Sequence, residues 1–384
     1  MKSAREKRLF SMVRIVCAMV FVVFAYTFLS LYKAPLLELA YDLAATGKLQ
    51  YNENITAAVL TFVLLILTLW LNKFAKFSRE WEALAYLPAC TLLAFITDID
   101  RTIYTGGEFT WSWVWIGGIV AVVYMLASWV LQRVLFMRIK DITRATNRIM
   151  WRNLLLLSLL FCYTGLLSGG DENFKHEAMV YHYVKKGDFA TAKKVAQRSL
   201  TASQQLTAAR AYLLAHDGEL GESLFTYPQY YGVDGLLPTA EATSPINMDT
   251  VCNFLKVAPV KNEEAITYLE RALAVDTADV AVKDYYLSAL LLDKRLDEFV
   301  DSLPACYNVA DVSSLPRYFK EALLLHGKMN EALSDAQFAD AELEKRYAEF
   351  VALEREHKDL LVRSNYLRRS FGDTYWWYYL YGGN

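Results

Sequence analysis

Five apolar stretches in the first 170 residues constrain this chain more than anything else in it. They are Leu9–Tyr32, Thr56–Leu71, Trp81–Thr97, Phe109–Leu131 and Met150–Leu167. Each meets or approaches the roughly 20 residues that a helix needs to cross a hydrocarbon core of about 30 Å. The third is the shortest but one and carries Pro88, so a kinked span is expected there. The first follows Lys2, Arg5, Lys7 and Arg8, as a signal peptide would. Its apolar run is too long for one, and no Ala-x-Ala site follows it, so a signal anchor is the better reading. These runs explain a hydrophobic fraction of 55% and a mean hydropathy of +0.17. The remainder of the chain has the composition of an ordinary soluble helical domain.

Lysine and arginine then orient the spans. The N-terminal tail has four basic residues, and the link between spans two and three has Lys73, Lys76 and Arg79. The link between spans four and five has Arg133, Arg138, Lys140, Arg144, Arg148 and Arg152 against a single acid, Asp141. The alternate links carry only Lys33 and Lys48 in one and Arg101 in the other. By the positive-inside rule the N-terminus is cytoplasmic, and five spans place residues 171–384 on the opposite side. Trp111, Trp113 and Trp115 stand at the outer end of span four, where an aromatic belt is expected. A formal net charge of −2 with no dense basic stripe gives no reason to expect a nucleic-acid partner.

Residues 171–384 repeat. A helix-ending turn and the opening of the next helix recur as GDFATA at 187–192, GELGES at 218–223, VKNEEA at 260–265, KRLDEF at 294–299 and GKMNEA at 327–332. The blocks end 31, 42, 34 and 33 residues apart, near the period of about 34 of paired tetratricopeptide helices. The longest gap holds an insertion at 224–247, LFTYPQYYGVDGLLPTAEATSPIN, too rich in Pro, Gly and Tyr to continue a helix. The expected fold is therefore all-α: a transmembrane domain over 1–170 followed by a tetratricopeptide-like α-solenoid over 171–384. The degenerate motif leaves most of the characteristic Trp, Gly and Pro positions unfilled.

The succession of spans, the repeat half, and the elements GELGESLFTYPQYYGVDGLLP and FGDTYWWYYLY together resemble a family of Bacteroidetes membrane proteins with no established activity. The resemblance implies a Gram-negative inner membrane with the C-terminal domain in the periplasm. It implies a layout and no mechanism.

Catalytic motifs are near-misses. HEAMVYH at 176–182 opens like a zinc-protease helix, but the second histidine falls at i+6 rather than i+4 and faces away. No phosphate-binding, dinucleotide-binding, nucleophile-elbow or paired-cysteine motif is present, so neither a metal nor a cofactor is expected. Cys252 and Cys306 are the only pair in the exported half, and an oxidising compartment permits a disulfide between them without requiring it. Asp42, Asp98 and Asp100 would lie on the outer side, where an enzyme acting on a lipid-linked sugar would keep its carboxylates. The plain alternative is that they mark the water boundary.

Two aromatic groups remain. Phe225, Tyr227, Tyr230 and Tyr231 of the insertion suit recognition, because tyrosine offers both apolar area and a hydrogen-bonding tip. Equally, they would fill the gap between irregular repeats. Tyr375, Trp376, Trp377, Tyr378 and Tyr379 end the chain, where a last repeat must hide its open end. A cap is the expectation, with a return to the bilayer interface or an exposed tail as alternatives. The expected function is a membrane-anchored scaffold that presents its helical domain to envelope protein partners. A glycosyltransferase-like membrane enzyme and an accessory subunit of a transport system are the other readings.

Overall fold

The computed structural model describes residues 4–45, 50–75, 77, 80–106, 110–133, 142–197, 199, 201–239, 246–261, 263–275, 279–309, 311–330, 340–357 and 359–382, and all regular elements among them are helical. Lys2, Lys48, Lys76, Arg79, Arg138 and Lys140 of the charge pattern lie outside the described residues. So do positions 240–245 of the insertion and the end of the fifth repeat block. The chain divides into two compact units, Met1–Ala178 and Met179–Asn384.

The first unit contains α1 (Ala4–Thr27), α2 (Ala34–Ala45), α3 (Glu53–Ala75), α4 (Leu87–Thr97), α5 (Ser112–Arg133), α6 (Ile142–Leu167) and the first half of α7 (Glu172–Lys185). Four stretches are long and apolar enough to cross a membrane: Met12–Tyr32, Glu53–Ala75, Ser112–Leu131 and Asn147–Leu167. The stretch expected as span three is built differently. Glu82–Tyr86 is a 3-10 turn, and only then does the 11-residue α4 begin. Pro88 gives the reason, since it has no N–H to offer the carbonyl of Leu84 and is best tolerated in a helix's first turn, where it stands in α4. Leu87 N–H serves that carbonyl in the tighter 3-10 pattern instead.

Polar pins hold this turn. The carboxylate of Glu82, only 2% exposed, accepts from Arg14 Nε at 2.8 Å and Asn72 Nδ2 at 2.7 Å. The buried Asn153 accepts from Ala83 N at 2.9 Å, and Arg152 Nε donates to the carbonyl of Glu80 at 3.0 Å. Around these the core is knitted by residues four apart. Val13, Cys17, Phe21 and Ala25 form one buried row on α1. Row packing of this kind lets two helices interlock closely. Phe21 meets Tyr86 at 4.9 Å between ring centres, and Phe24 stacks on Phe161 at 3.8 Å.

The second unit contains α8 (Phe189–Lys194), α9 (Gln204–His216), α10 (Leu220–Ser223), α11 (Met248–Leu255), α12 (Ala265–Val275), α13 (Val280–Leu292), α14 (Leu296–Cys306), α15 (Arg317–Met329), α16 (Ala341–Glu356), α17 (Leu360–Phe371) and α18 (Tyr375–Tyr381). One turn recurs in it. A residue one or two positions past the helix end takes a left-handed conformation at Gly187, Gly218, Lys256 and Lys294, spaced 31, 38 and 38 apart. At each, the next N–H reaches back five residues: Asp188 to Tyr183 (2.9 Å), Glu219 to Leu214 (2.7 Å), Val257 to Cys252 (3.1 Å) and Arg295 to Leu290 (2.9 Å). This is the Schellman closure of a helix end. Three of the four turns open blocks recognised in the sequence; the fourth, at Lys256, precedes its block by four residues.

The unit is nevertheless not a simple stack in which each repeat meets only its neighbours. α13 is buried on all sides from Asp284 to Leu292 and packs against α9, α10, α12 and α14. The short α10 also packs against α15, nearly a hundred residues later. Cys252 and Cys306 are free thiols, and Tyr268 Oη donates to Cys252 Sγ at 3.3 Å.

Asp284 on α13 is 1% exposed and accepts a 2.5 Å bond from Tyr307 Oη. Burial pushes its carboxyl up to about 6; the Tyr307 bond and Lys283 oppose the rise and Glu222 adds to it. A raised carboxyl favours the protonated form in the folded state, so its stabilising share is complete below the unfolded value near 3.8 and is lost as pH climbs through 6. A rise of that size is worth ~3 kcal/mol. Asp284→Asn, which keeps an acceptor for Tyr307, is expected to remove that share of the pH dependence. Melting of the full chain in detergent at pH 4 and pH 8, which take in nearly all of that window, checks it; an unchanged difference between the two pH values refutes the assignment.

Candidate functional site

The aromatic residues singled out in the sequence come together in the second unit, although they arise from distant segments. Thr374 opens α18 by accepting from Trp377 N at 3.3 Å, with its backbone extended. Gly372 makes the approach to that cap possible, since a Cβ there would stand 2.4 Å from the Arg368 carbonyl. α18 then points Tyr375, Trp376 and Tyr378 into the core, with Trp377 and Tyr379 packed at its edge. Phe225 of the insertion, 3% exposed, meets Tyr318 at 5.0 Å, Tyr375 at 5.4 Å and Tyr378 at 4.9 Å. Tyr227 is buried too, its hydroxyl donating to the Lys193 carbonyl at 2.8 Å and its ring lying 4.9 Å from the Arg210 guanidinium. Phe225 and Tyr227 therefore fill space.

Tyr230 and Tyr231 face outward, at 49% and 39% exposure. Tyr231 Oη donates to the Ala202 carbonyl at 3.1 Å. Tyr230 Oη accepts from Arg368 Nη2 at 3.0 Å, which joins the insertion to α17. α17 carries Arg363, Arg368 and Arg369 and no acidic residue within its bounds. Its guanidinium groups lie over rings: Arg368 over Trp377 at 5.6 Å, Arg369 over Tyr366 at 5.9 Å, and Arg363 over Tyr381 at 5.8 Å. Leu360, Leu361 and Tyr366 are exposed on the same helix. Such a face can take a carboxylate on a guanidinium and an apolar or aromatic group on a ring. It contains no nucleophile paired with a base.

Two of the three carboxylates considered for catalysis, Asp98 and Asp100, have structural tasks in the first unit. Asp98 follows the last residue of α4 and accepts from the Trp113 indole N–H at 2.8 Å. Asp100 caps the 3-10 turn Arg101–Thr105 by accepting from Thr102 N at 3.0 Å. Asp42 is half-buried on α2. His176 and His182 both lie on α7, His182 beside Tyr183 at 5.4 Å. Among the described residues no three His, Cys, Asp or Glu side chains gather to hold a metal ion.

Sequence reading missed three features. Arg368 drew no attention because its partner, Tyr230, is 138 residues away. Glu82 drew no attention either, although an acid just inside an apolar run is a signal for a buried partner. The third is a chain of ion pairs beneath α18. Glu321, fully buried on α15, accepts from Arg317 Nε at 2.9 Å and from Tyr375 N at 2.6 Å. Arg317 and Arg346 then share Asp373, at 3.1 and 2.8 Å. Burial raises the Asp373 carboxyl, but the two guanidinium groups outweigh it and hold the group below the usual range.

No curated protein and no solved structure matches this chain at a significant level. Residues 3–255 and 259–382 match a single model, the Family of unknown function (DUF6057), and the chain belongs to that family.

Proposed function

We propose that the protein is a scaffold of the inner membrane that presents its second unit in the periplasm and binds an acidic, aromatic-containing segment of an envelope protein there. The observation that carries this reading is the exposed side of α17, where Arg368 bonds Tyr230 and lies over Trp377 while Arg369 lies over the exposed Tyr366. Burying the neighbouring rings in the core leaves this face fixed in position, which lowers the ordering cost of binding.

The orientation follows from the charge pattern and from a fifth crossing at 82–97. Five residues of 3-10 turn at about 2.0 Å each and 11 of α-helix at 1.5 Å reach about 26 Å, close to a core of about 30 Å. Tetratricopeptide-like pairing is supported by the recurring turns at Gly187, Gly218, Lys256 and Lys294.

A photo-crosslinking residue at position 230, irradiated in intact cells, tests the reading. One stoichiometric envelope adduct is expected, and the pair Arg368→Glu and Arg369→Glu should abolish it while the same probe at Val260 yields none. A chain that forms no adduct, or keeps it after both charge reversals, overturns the proposal.

A further inference from the structure

We propose that the second unit binds a short-chain monocarboxylic acid at Arg210 of α9. The Arg210 side chain is 2% exposed, and its Nη2 donates to the Val195 carbonyl at 2.8 Å. A guanidinium has five N–H donors. Here Nε and Nη1 are buried with no partner among the described residues. The Tyr227 ring, 4.9 Å from the guanidinium, covers the charge without neutralising it.

Arg271, Arg317 and Arg346 of the same unit are all more exposed than Arg210, and each rests on a carboxylate. Arg210 has none among the described residues. Burial pulls its guanidinium down to about 10, and Tyr227 alone is set against that. The group is still charged at neutral pH, and a buried charge without a counter-ion destabilises the fold that holds it. An anion that joins Arg210 removes this cost.

The surroundings select the anion. Lys193, whose carbonyl takes the Tyr227 hydroxyl, already holds Asp217 and Glu219, so Arg210 offers one uncompensated positive charge. A carboxylate balances it and matches the planar fork of donors, whereas a doubly charged phosphate leaves one charge unbalanced. Leu206 and Leu213 lie four before and three after Arg210, on one side of α9, and pack with Val195 and Ile246. An acid held there needs an apolar tail, and a core packed this closely admits only a few carbons. Since Nε and Nη1 are sealed from solvent, the acid enters as the chain at Val195 lifts. Ala196 beside it is held at φ 51°, in the left-handed region, so lifting releases backbone strain. The site owes nothing to the Arg368 face of α17.

Hydrogen exchange of the full chain in detergent, read over residues 204–216 at constant ionic strength, tests this. Butyrate at ten times its dissociation constant should slow exchange about tenfold, with chloride giving no such effect. Arg210→Met keeps the bulk and removes the unpaired charge. It should abolish the response and exchange no faster than the unsubstituted chain without butyrate. Arg210→Lys keeps the charge but loses the fork, and should require about ten times more butyrate. No slowing in the unsubstituted chain, or equal slowing in Arg210→Met, overturns the site. Much faster exchange in Arg210→Met before butyrate is added would make Arg210 a structural prop for Val195 and Tyr227, and overturns it too. Phosphate that slows exchange as well as butyrate does overturns the choice of a monocarboxylate.

Discussion

Deleting residues 375–384 is expected to unfold much of the second unit rather than merely shorten it. The deletion removes Tyr375 and Trp376, both 0% exposed, and Tyr378 at 5%. Truncating one large buried aromatic costs about 3–5 kcal/mol, and a whole domain is stable by only about 5–15 kcal/mol. The damage also spreads, because Phe225 loses Tyr375 and Tyr378 and Phe350 loses Trp376 from the rings around them. The tail is held by polar ties too: Tyr378 Oη donates to the Leu292 carbonyl at 2.8 Å, Lys294 Nζ to the Gly382 carbonyl at 2.8 Å, and Tyr381 Oη to Glu354 at 2.6 Å. Tyr375 Oη and Trp376 Nε1 have no hydrogen-bond partner among the described residues. Those two residues are buried for their ring surface, as a core requires and a recognition tail does not. Hydrogen exchange of the full chain in detergent provides the measurement. Loss of protection across α13 and α15 is expected, with α3 and α6 unchanged; retained protection in α13 would show that the tail is peripheral.

What could be read from the sequence follows from what is local. Long apolar runs announced themselves, and four of the five fall on helices of spanning length. Pro88 signalled a break, but the pattern could not tell a kink from a 3-10 entry, since that depends on where Glu82 finds Arg14 and Asn72. Turns at Gly187 and Gly218 were visible because glycine tolerates the left-handed region. Lys256 and Lys294 adopt the same conformation with no such mark. At Lys294 a tertiary tie accompanies the strain, since its ammonium reaches the tail across 88 residues. The insertion divides for a similar reason. Tyr227 is no more apolar than Tyr230 or Tyr231, and only the return of α18 over Phe225 and the position of Arg210 against Tyr227 decide that these two are covered while Tyr230 and Tyr231 are not.

Glu321→Ala is expected to cost about 3–5 kcal/mol, the range for breaking a buried ion pair from one side. Two losses combine. Arg317 keeps Asp373 but gives up the partner that is fully shielded from water, and Tyr375 N–H is left buried with nothing to donate to. The contrast lies one bond away: Asp373 is 40% exposed, so Asp373→Asn breaks pairs that solvent already screens and should cost about 1 kcal/mol or less. Glu321→Gln separates charge from hydrogen bonding, because the amide can accept from only one of the two donors and must turn its own N–H₂ toward the other. An intermediate cost is expected for it. If Glu321 acts partly by anchoring α18, its substitution should add less in a chain already lacking 375–384 than in the full chain, since the truncation removes the Tyr375 N–H bond but leaves the Arg317 pair. Hydrogen exchange measured over residues 317–329 in the single, truncated and combined variants supplies that cycle. Additive losses would mean that Glu321 stabilises α15 by itself, and the clasp between α15 and α18 would then be a consequence of the fold and not one of its supports.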